Sequence, residues 1–430
     1  MKEETIKYPG FRWFVAITYI VVIISSALVL ISITPLMGEV AKSIGQDVGV
    51  TAGIVMSTFN LLVALGAIAG GPIVDKFGVT KVWFGCLALL ILGQLLTPVL
   101  GHSGTGMTVL RVIQGAGTGP IMGCCAALAA QWFPKKERGI LTGMQGLAMG
   151  AGVAIGTIVG PALAQVTGNW QTGLACEAGF TILALIMAIV VAVGPKPPVV
   201  DVQASDSEHL GDIAKEVKTA ILQPATISAL ICAFGLAWVF QAMGDLTPSY
   251  LAIDPPVGLG KGALLGGTIF STFSVAYMIG AVSSQFFTDK VCKGSTRTTI
   301  FIGFIISAIT VFGLKISGIV LNQSILIVVL IISGLFMSMI QPQVNAFLAV
   351  NYPEHLVGKV GGTIYGLSVF GGVGGATAGA YALHATGGYL MGLNIIVIVC
   401  VIGTLGTIFL KPPKMYISAS ENSTDSGIQQ

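Results

Sequence analysis

Charge is what this chain has least of: only 9% of its 430 residues are Asp, Glu, Lys or Arg, against about 25% in soluble domains. With 54% hydrophobic residues, a water-solvated globule is excluded. Histidine is nearly as scarce. His102, His209, His355 and His384 all lie in loops or at the ends of apolar runs, and no Ser/His/Asp or HExxH arrangement is present. No two acids sit at a common depth either, so an enzyme is not expected. The seven cysteines (Cys86, Cys124, Cys125, Cys176, Cys232, Cys292 and Cys400) include no CxxC pair and no histidine partner, and read as small apolar packing residues. No Gly-rich loop ending in Lys-Ser/Thr occurs, so nucleotide hydrolysis is not the expected power source, and no cofactor or metal is expected. A net charge of +3 gives no argument for nucleic acid.

What the chain does have is long apolar runs. Crossing a hydrocarbon core of about 30 Å takes about 20 such residues in a helix. Runs of that length fall at 11–36, 50–73, 81–101, 106–132, 140–165, 172–194, 225–250, 262–287, 299–319, 323–350, 357–384 and 388–410. These predict an all-α membrane protein of twelve transmembrane helices. The first run outlasts the 7–15 residue core of a secretory signal and is followed at once by another, so it reads as a retained span. If the N-terminus is inside, 17 of the 21 basic residues fall on the cytoplasmic side; Lys42, Lys261 and Lys315 fall opposite, and Arg111 lies within a span. That bias predicts an inner or plasma membrane location with both termini cytoplasmic.

Two sets of six spans are separated by the polar stretch from Pro195 to Pro224, which contains Pro195, Pro197 and Pro198 followed by mixed charge. The expected organisation is residues 1–194 and 225–410 as two six-helix halves, 195–224 as a cytoplasmic linker and 411–430 as a disordered cytoplasmic tail. Asp212 to Leu222 suggests a short amphipathic helix on the membrane surface. An internal repeat supports the two halves. A shift of 219 residues places Pro134 on Pro353, Gly139 on Gly358, Gly143 on Gly362, Gly152 on Gly371, Gly156 on Gly375, Gly160 on Gly379, Gly168 on Gly387 and Gly173 on Gly392. Each half thus carries the same loop and the same glycine-lined helix, whose small faces suit helices that approach closely and slide.

Three motifs resemble those of the major facilitator superfamily. Gly71 to Lys81, with Asp75-Lys76 and Gly78 at the end of span two, is similar to its cytoplasmic loop signature, echoed by Asp289 to Arg297 after span eight. Arg111-Val112-Ile113-Gln114-Gly115-Ala116-Gly117 in span four resembles its second signature. Gly156 to Pro161 resembles the Gly-Pro signature of antiporters, but with Leu147 and Ala164 where that pattern has glycines. Trp132 to Gly139 is similar to the corresponding loop of organic-anion and nitrate carriers. The resemblance implies two pseudo-symmetric six-helix bundles working by alternating access around a cavity lined by spans one, four, seven and ten. It also implies a cytoplasmic charge cluster acting as a gate: Asp75, Lys76, Gly78, Lys81, Arg138, Asp289 and Arg297, with Lys135, Lys136 and Glu137 beside them.

An ionisable side chain within a bilayer is costly unless paired or wetted, which singles out Arg111, Glu177 and Asp245. Arg111 is read either as the binder of an anionic substrate, as the partner of a proton-titrating acid, or as one half of a buried salt bridge with Glu177. Asp245 is read as a proton site or as a solvated residue of an outer vestibule. Polar residues recur at i, i+3 and i+7 on three helices: Arg111, Gln114 and Thr118; Trp238, Gln241 and Asp245; Ser338, Gln341 and Asn345. With Tyr19 on span one they are substrate-binding candidates, the alternative being hydrogen bonds between packed helices. Asn60, Tyr277 and Tyr365, on spans the family uses between its bundles, form a second tier.

The leading expectation is a secondary transporter for a small organic anion such as a carboxylate, by symport or antiport with a proton or ion, acting as a monomer. The alternative is proton-coupled efflux of hydrophobic compounds, with Met122, Met144, Met243, Met337 and Met339 as adaptable cavity walls.

Overall fold

The computed structural model describes residues 8–134, 137–198 and 210–413. The described residues are helical throughout their ordered elements, with no strand among them. The twelve membrane helices are named here α1 (Arg12–Ile31), α2 (Thr58–Phe77), α3 (Val79–Leu95), α4 (Gly104–Trp132), α5 (Arg138–Thr167), α6 (Ala178–Val193), α7 (Pro224–Ala252), α8 (Ala263–Lys290), α9 (Thr296–Gly313), α10 (Gln323–Ser338), α11 (Glu354–Thr386) and α12 (Leu390–Gly406). Together with short helical extensions, eleven of the segments are long and apolar enough to cross a membrane, and α3 is a shorter twelfth. A further helix covers Leu210–Ile221, within the expected linker. Lys135, Lys136 and most of the expected tail lie outside the described residues.

Many hydroxyl side chains inside these helices bond back to their own helix. Thr18, Ser25 and Ser32 of the first span donate to the carbonyls of Phe14, Val21 and Leu28 at 2.9, 3.0 and 2.7 Å, so no polar hydrogen is presented to hydrocarbon. Side-chain oxygens cap the helix starts that lie in loops. Ser103 accepts from Gly106 N–H at 3.1 Å, Asn169 from Gln171 N–H at 2.8 Å and Asn322 from Ser324 N–H at 3.1 Å. At the end of α7 the loop folds back so that the N–H groups of Leu259, Gly260, Lys261 and Gly262 reach the carbonyls of Tyr250, Ile253, Leu251 and Ala252.

The tenth span is not one continuous helix. α10 ends at Ser338 and a second helix, Ile340–Asn351, follows, because Pro342 brings no N–H and its ring crowds the carbonyl of residue 338. The second span has a different irregularity. A π-turn covers Gly53–Ser57, and the Asn60 amide donates to the Met56 carbonyl at 2.9 Å.

Contacts divide the chain into two compact units. One comprises Met1–Asp201, Ala242–Met278 and Ala376–Gly392; the other comprises Val202–Gln241, Ile279–Gly375 and Leu393–Gln430. In the first unit the glycines of α5 meet α1. A Cβ on Gly152 would lie 2.5 Å from Ala27 Cβ, one on Gly156 2.5 Å from Ile31 Cγ2, and one on Gly160 2.5 Å from the Ser32 carbonyl oxygen. In the second unit a Cβ on Gly371 would lie 2.3 Å from the Phe234 carbonyl oxygen and one on Gly375 2.4 Å from that of Trp238. The 219-residue repeat is therefore a repeat of packing. α5 lies on α1 as α11 lies on α7, and these glycine faces are spent on neighbours within the same sequence half.

Candidate functional site

The first unit buries three charged residues near one another. Arg111, on α4, is 2% exposed; Glu177, at the start of α6, and Asp245, on α7, are each 5% exposed. Burial of Asp245 removes the reading in which it is a solvated vestibule residue. The guanidinium is held by Nη1, which donates to the Val29 carbonyl oxygen at 2.9 Å and to Gln114 Oε1 at 3.0 Å. Its carbon lies 5.4 Å from the centre of the Phe59 ring, a cation–π distance. Arg111 lies within electrostatic reach of both Asp245 and Glu177. Among the described residues no ion pair joins Arg111 to Glu177. The direct Arg111–Glu177 salt bridge is thus absent from this structure; the two charges share a cavity without touching.

Local packing sets this geometry. A Cβ on Gly115 would lie 2.8 Å from the Phe59 carbonyl oxygen and one on Gly117 2.8 Å from that of Cys86, so α4 is pressed between α2 and α3. Gly93 brings α3 onto Gln114, where a Cβ would meet Gln114 Cγ at 2.5 Å. Gln94 then enters the cluster from α3: it is 2% exposed and its Oε1 accepts from Thr181 Oγ1 at 2.8 Å. The cavity beside Arg111 leaves about 20 Å³ of room, which is the size of a water and not of a metabolite. Among the described residues no three His, Cys, Asp or Glu side chains are placed to hold a metal.

The other expected site residues are spread more widely. Thr118 is buried and donates to the Gln114 carbonyl at 3.0 Å. Tyr19 is fully buried and stacks on Trp83, with ring centres 5.9 Å apart at 11°, so it is a packing residue in this state. Trp238 and Gln241 lie under the glycines of α11: a Cβ on Gly374 would meet the Trp238 ring at 2.3 Å, and one on Gly372 would sit 3.6 Å from Gln241 Cβ. The stripe expected on span ten does not share one face, because the helix breaks within it. Ser338 is buried and bonded to the Leu335 carbonyl at 2.9 Å, whereas Gln341 donates to the exposed Asn345 at 3.2 Å. Sequence reasoning passed over Gln343, which is fully buried and directed at Gln285 of α8 at 3.5 Å. Tyr277 packs on Phe273 with ring centres 6.1 Å apart, Tyr365 is 49% exposed, and Asn60 is buried.

At the expected gate, Asp75, Lys76 and Lys81 are exposed, and Gly78 turns the chain with φ of 81°. Lys76 Nζ lies over the Phe77 ring at 5.4 Å. Arg138 donates from Nε to the Phe133 carbonyl and from Nη2 to that of Ala130, both at 3.3 Å, and so caps the end of α4. Glu137 pairs with Arg12 at 3.1 Å, and Asp289 accepts from Gln285 at 3.0 Å. No ion pair joins Asp75, Arg138, Asp289 and Arg297 among the described residues.

An all-helical, multi-pass chain with a charged cluster sealed between its helices is the architecture of a membrane carrier. The chain belongs to the Major Facilitator Superfamily, whose family model matches residues 15–378 and 257–427. A gallate transporter of Pseudomonas putida is 24% identical over 375 residues, 81% of each chain. A 4-hydroxybenzoate transporter of Acinetobacter baylyi is 22% identical over 420 residues, 90% of this chain and 88% of that one. A quinolone resistance protein of Staphylococcus aureus is 27% identical over 260 residues, 59% of this chain and 62% of that one. Stronger local matches are shorter: the chain covers 23% of a Pseudomonas putida protein described as "Probable galactarate/D-glucarate transporter", at 36% identity, and 30% of an uncharacterised transporter of Mycobacterium tuberculosis.

Proposed function

We propose that this protein is a secondary transporter of small organic carboxylates, driven through alternating conformations by a proton or ion gradient, with both termini on the cytoplasmic side. The observation that carries this reading is Arg111, a buried cation within electrostatic reach of two buried acids, Glu177 and Asp245. A guanidinium offers a planar fork to a carboxylate, and its charge is strongest where water is excluded. With both acids ionised the cluster carries one more negative than positive charge. An incoming carboxylate makes that worse unless a proton arrives on Glu177 or Asp245, so binding of the anion and of a proton support one another.

In the conformation described here Arg111 is sealed, and a substrate reaches it when Asp245 of α7 draws away. Gln114 and Thr118 of the first unit and Gln241, Gln341 and Asn345 of the second are proposed as substrate-binding residues, and Asp75, Lys76, Gly78, Lys81, Arg138, Asp289 and Arg297 as cytoplasmic gating residues. Relatives that carry gallate and 4-hydroxybenzoate favour an aromatic acid within the carboxylate class. The test is uptake of radiolabelled 4-hydroxybenzoate and gallate into proteoliposomes under an imposed pH gradient. Saturable uptake that Arg111→Gln abolishes is expected; no saturable uptake of any carboxylate ends the proposal. The relationship to a quinolone resistance protein favours a second reading, proton-coupled efflux of hydrophobic compounds. It is checked by whether deleting the gene sensitises cells to fluoroquinolones and cationic dyes.

A further inference from the structure

Three buried polar atoms that find no hydrogen-bond partner among the described residues belong to the lining of a single cavity. They are Gln94 Nε2, Arg111 Nε and Glu177 Oε1, two donors and one acceptor contributed by α3, α4 and the start of α6. An unpaired buried donor or acceptor costs about 1–3 kcal/mol, so three orphans around one space point to an occupant that pairs them. The space is about 20 Å³, above the roughly 10–15 Å³ that admits one water and far below what a metabolite needs. Thr97 and Gln114 also line it, while Val29, Ile33, Met107, Leu110 and Leu174 supply apolar walls that confine the occupant to the polar corner.

We propose that this cavity is a binding site for one water molecule, which accepts from Gln94 Nε2 and Arg111 Nε and donates to Glu177 Oε1. The fourth valence of the water, its second O–H, has Thr97 Oγ1 and Gln114 Oε1 within the same lining as acceptors. Every other bond of the cluster is compatible with this. Gln94 Oε1 is already committed to Thr181, which fixes the amide so that its N–H₂ faces inward. Arg111 Nη1 is committed to Val29 and Gln114, while its Nε is left buried and unpaired. The bridge explains how a buried cation and a buried acid sit side by side without a direct ion pair. It also lets Glu177 change protonation while Arg111 keeps its bonds to Val29 and Gln114. The charged group facing Glu177 is Arg111, with the Ser32 hydroxyl as a hydrogen-bond partner, and Asp245 acts in turn on Arg111. That last consequence rests on the transport reading above; the hydration site itself does not.

Hydroxyl-radical footprinting with X-ray pulses tests the site on the purified full-length protein without substrate, because radiolysis of a bound water oxidises the side chain beside it. Met107 lines the cavity and is 2% exposed, whereas Met37 and Met56 are each 1% exposed and lie outside it. In the wild type Met107 is expected to oxidise several times faster than Met37 and Met56; equal rates overturn the proposal, and no variant is needed for that comparison. After rapid mixing with H₂¹⁸O, the Met107 product should acquire label later than that of Met391, which is 39% exposed. Simultaneous labelling would mean bulk solvent reaches Met107 and would overturn a bound water. Gln94→Leu, which fills the corner and removes one donor, should bring Met107 down to the rate of Met56, and an unchanged rate refutes the assigned ligands. Absence of carboxylate uptake with this footprint intact would sink the transport reading and leave the water site standing.

Discussion

At the scale of single residues, Arg111 is where charge, burial and sequence motif meet. Arg111→Gln leaves Glu177 and Asp245 buried without the cation in their reach and the Val29 carbonyl without its donor, a loss of about 1–3 kcal/mol for the orphaned acceptor alone. The expected outcome is a clear drop in melting temperature in detergent together with loss of carboxylate uptake. Asp47 makes a second prediction, at a loop outside the spans. Its side chain accepts from Gly49 N–H at 2.8 Å and Val50 N–H at 3.0 Å and meets His384 Nδ1 at 2.9 Å. Partial burial pushes its carboxyl up, but the Val50 N–H, the His384 ring and the Gly49 N–H outweigh this and hold it below the usual range. Because the folded value lies below the unfolded one of about 3.9, the contribution is present above about pH 4 and is lost as pH falls through the lower folded value. Asp47→Asn should therefore melt below wild type at neutral pH, and the gap should close when both are scanned below about pH 4.

At the scale of helices, small residues decide how closely the spans approach. A methyl group at Gly375 would sit 2.4 Å from the Trp238 carbonyl oxygen, a backbone atom that cannot turn aside. Gly375→Ala should cost about 1–3 kcal/mol through overpacking, read as a fall in melting temperature. Gly143, inside α5, has nothing within 4 Å of an added Cβ, and Gly143→Ala should be neutral or stabilising by up to about 1 kcal/mol. The Gly-rich repeat was legible in the sequence; the direction of its glycine faces was not, because periodicity places residues on one side of a helix without naming the partner. Span ten shows the same limit. Ser338, Gln341 and Asn345 have helical spacing, but Pro342 interrupts the helix between the first and the others, and the shared face disappears with it.

At the scale of the whole molecule, the uneven distribution of Lys and Arg predicts orientation. With the seven native cysteines replaced, Lys42→Cys and Lys261→Cys should react with an impermeant maleimide added outside intact cells, and Lys293→Cys only after the membrane is opened. The reverse pattern would invert the proposed topology, and with it the side on which Asp75 and Asp289 act.

The number and type of spans belonged to the sequence alone, because a bilayer demands about 20 apolar residues per crossing and leaves little freedom in meeting that demand. The rarity of charge within those runs likewise marks Arg111, Glu177 and Asp245 in the sequence alone. Tertiary structure decided what those residues do to one another. Gln94 stood in an apolar run with only Thr97 near it at helical spacing, and the close approach of α3 at Gly93 brought it beside Arg111. Asp47 and His384 are 337 residues apart, and nothing local marks them as partners. Burial and pairing are properties of the space between helices, and one-dimensional pattern does not encode which faces close around that space.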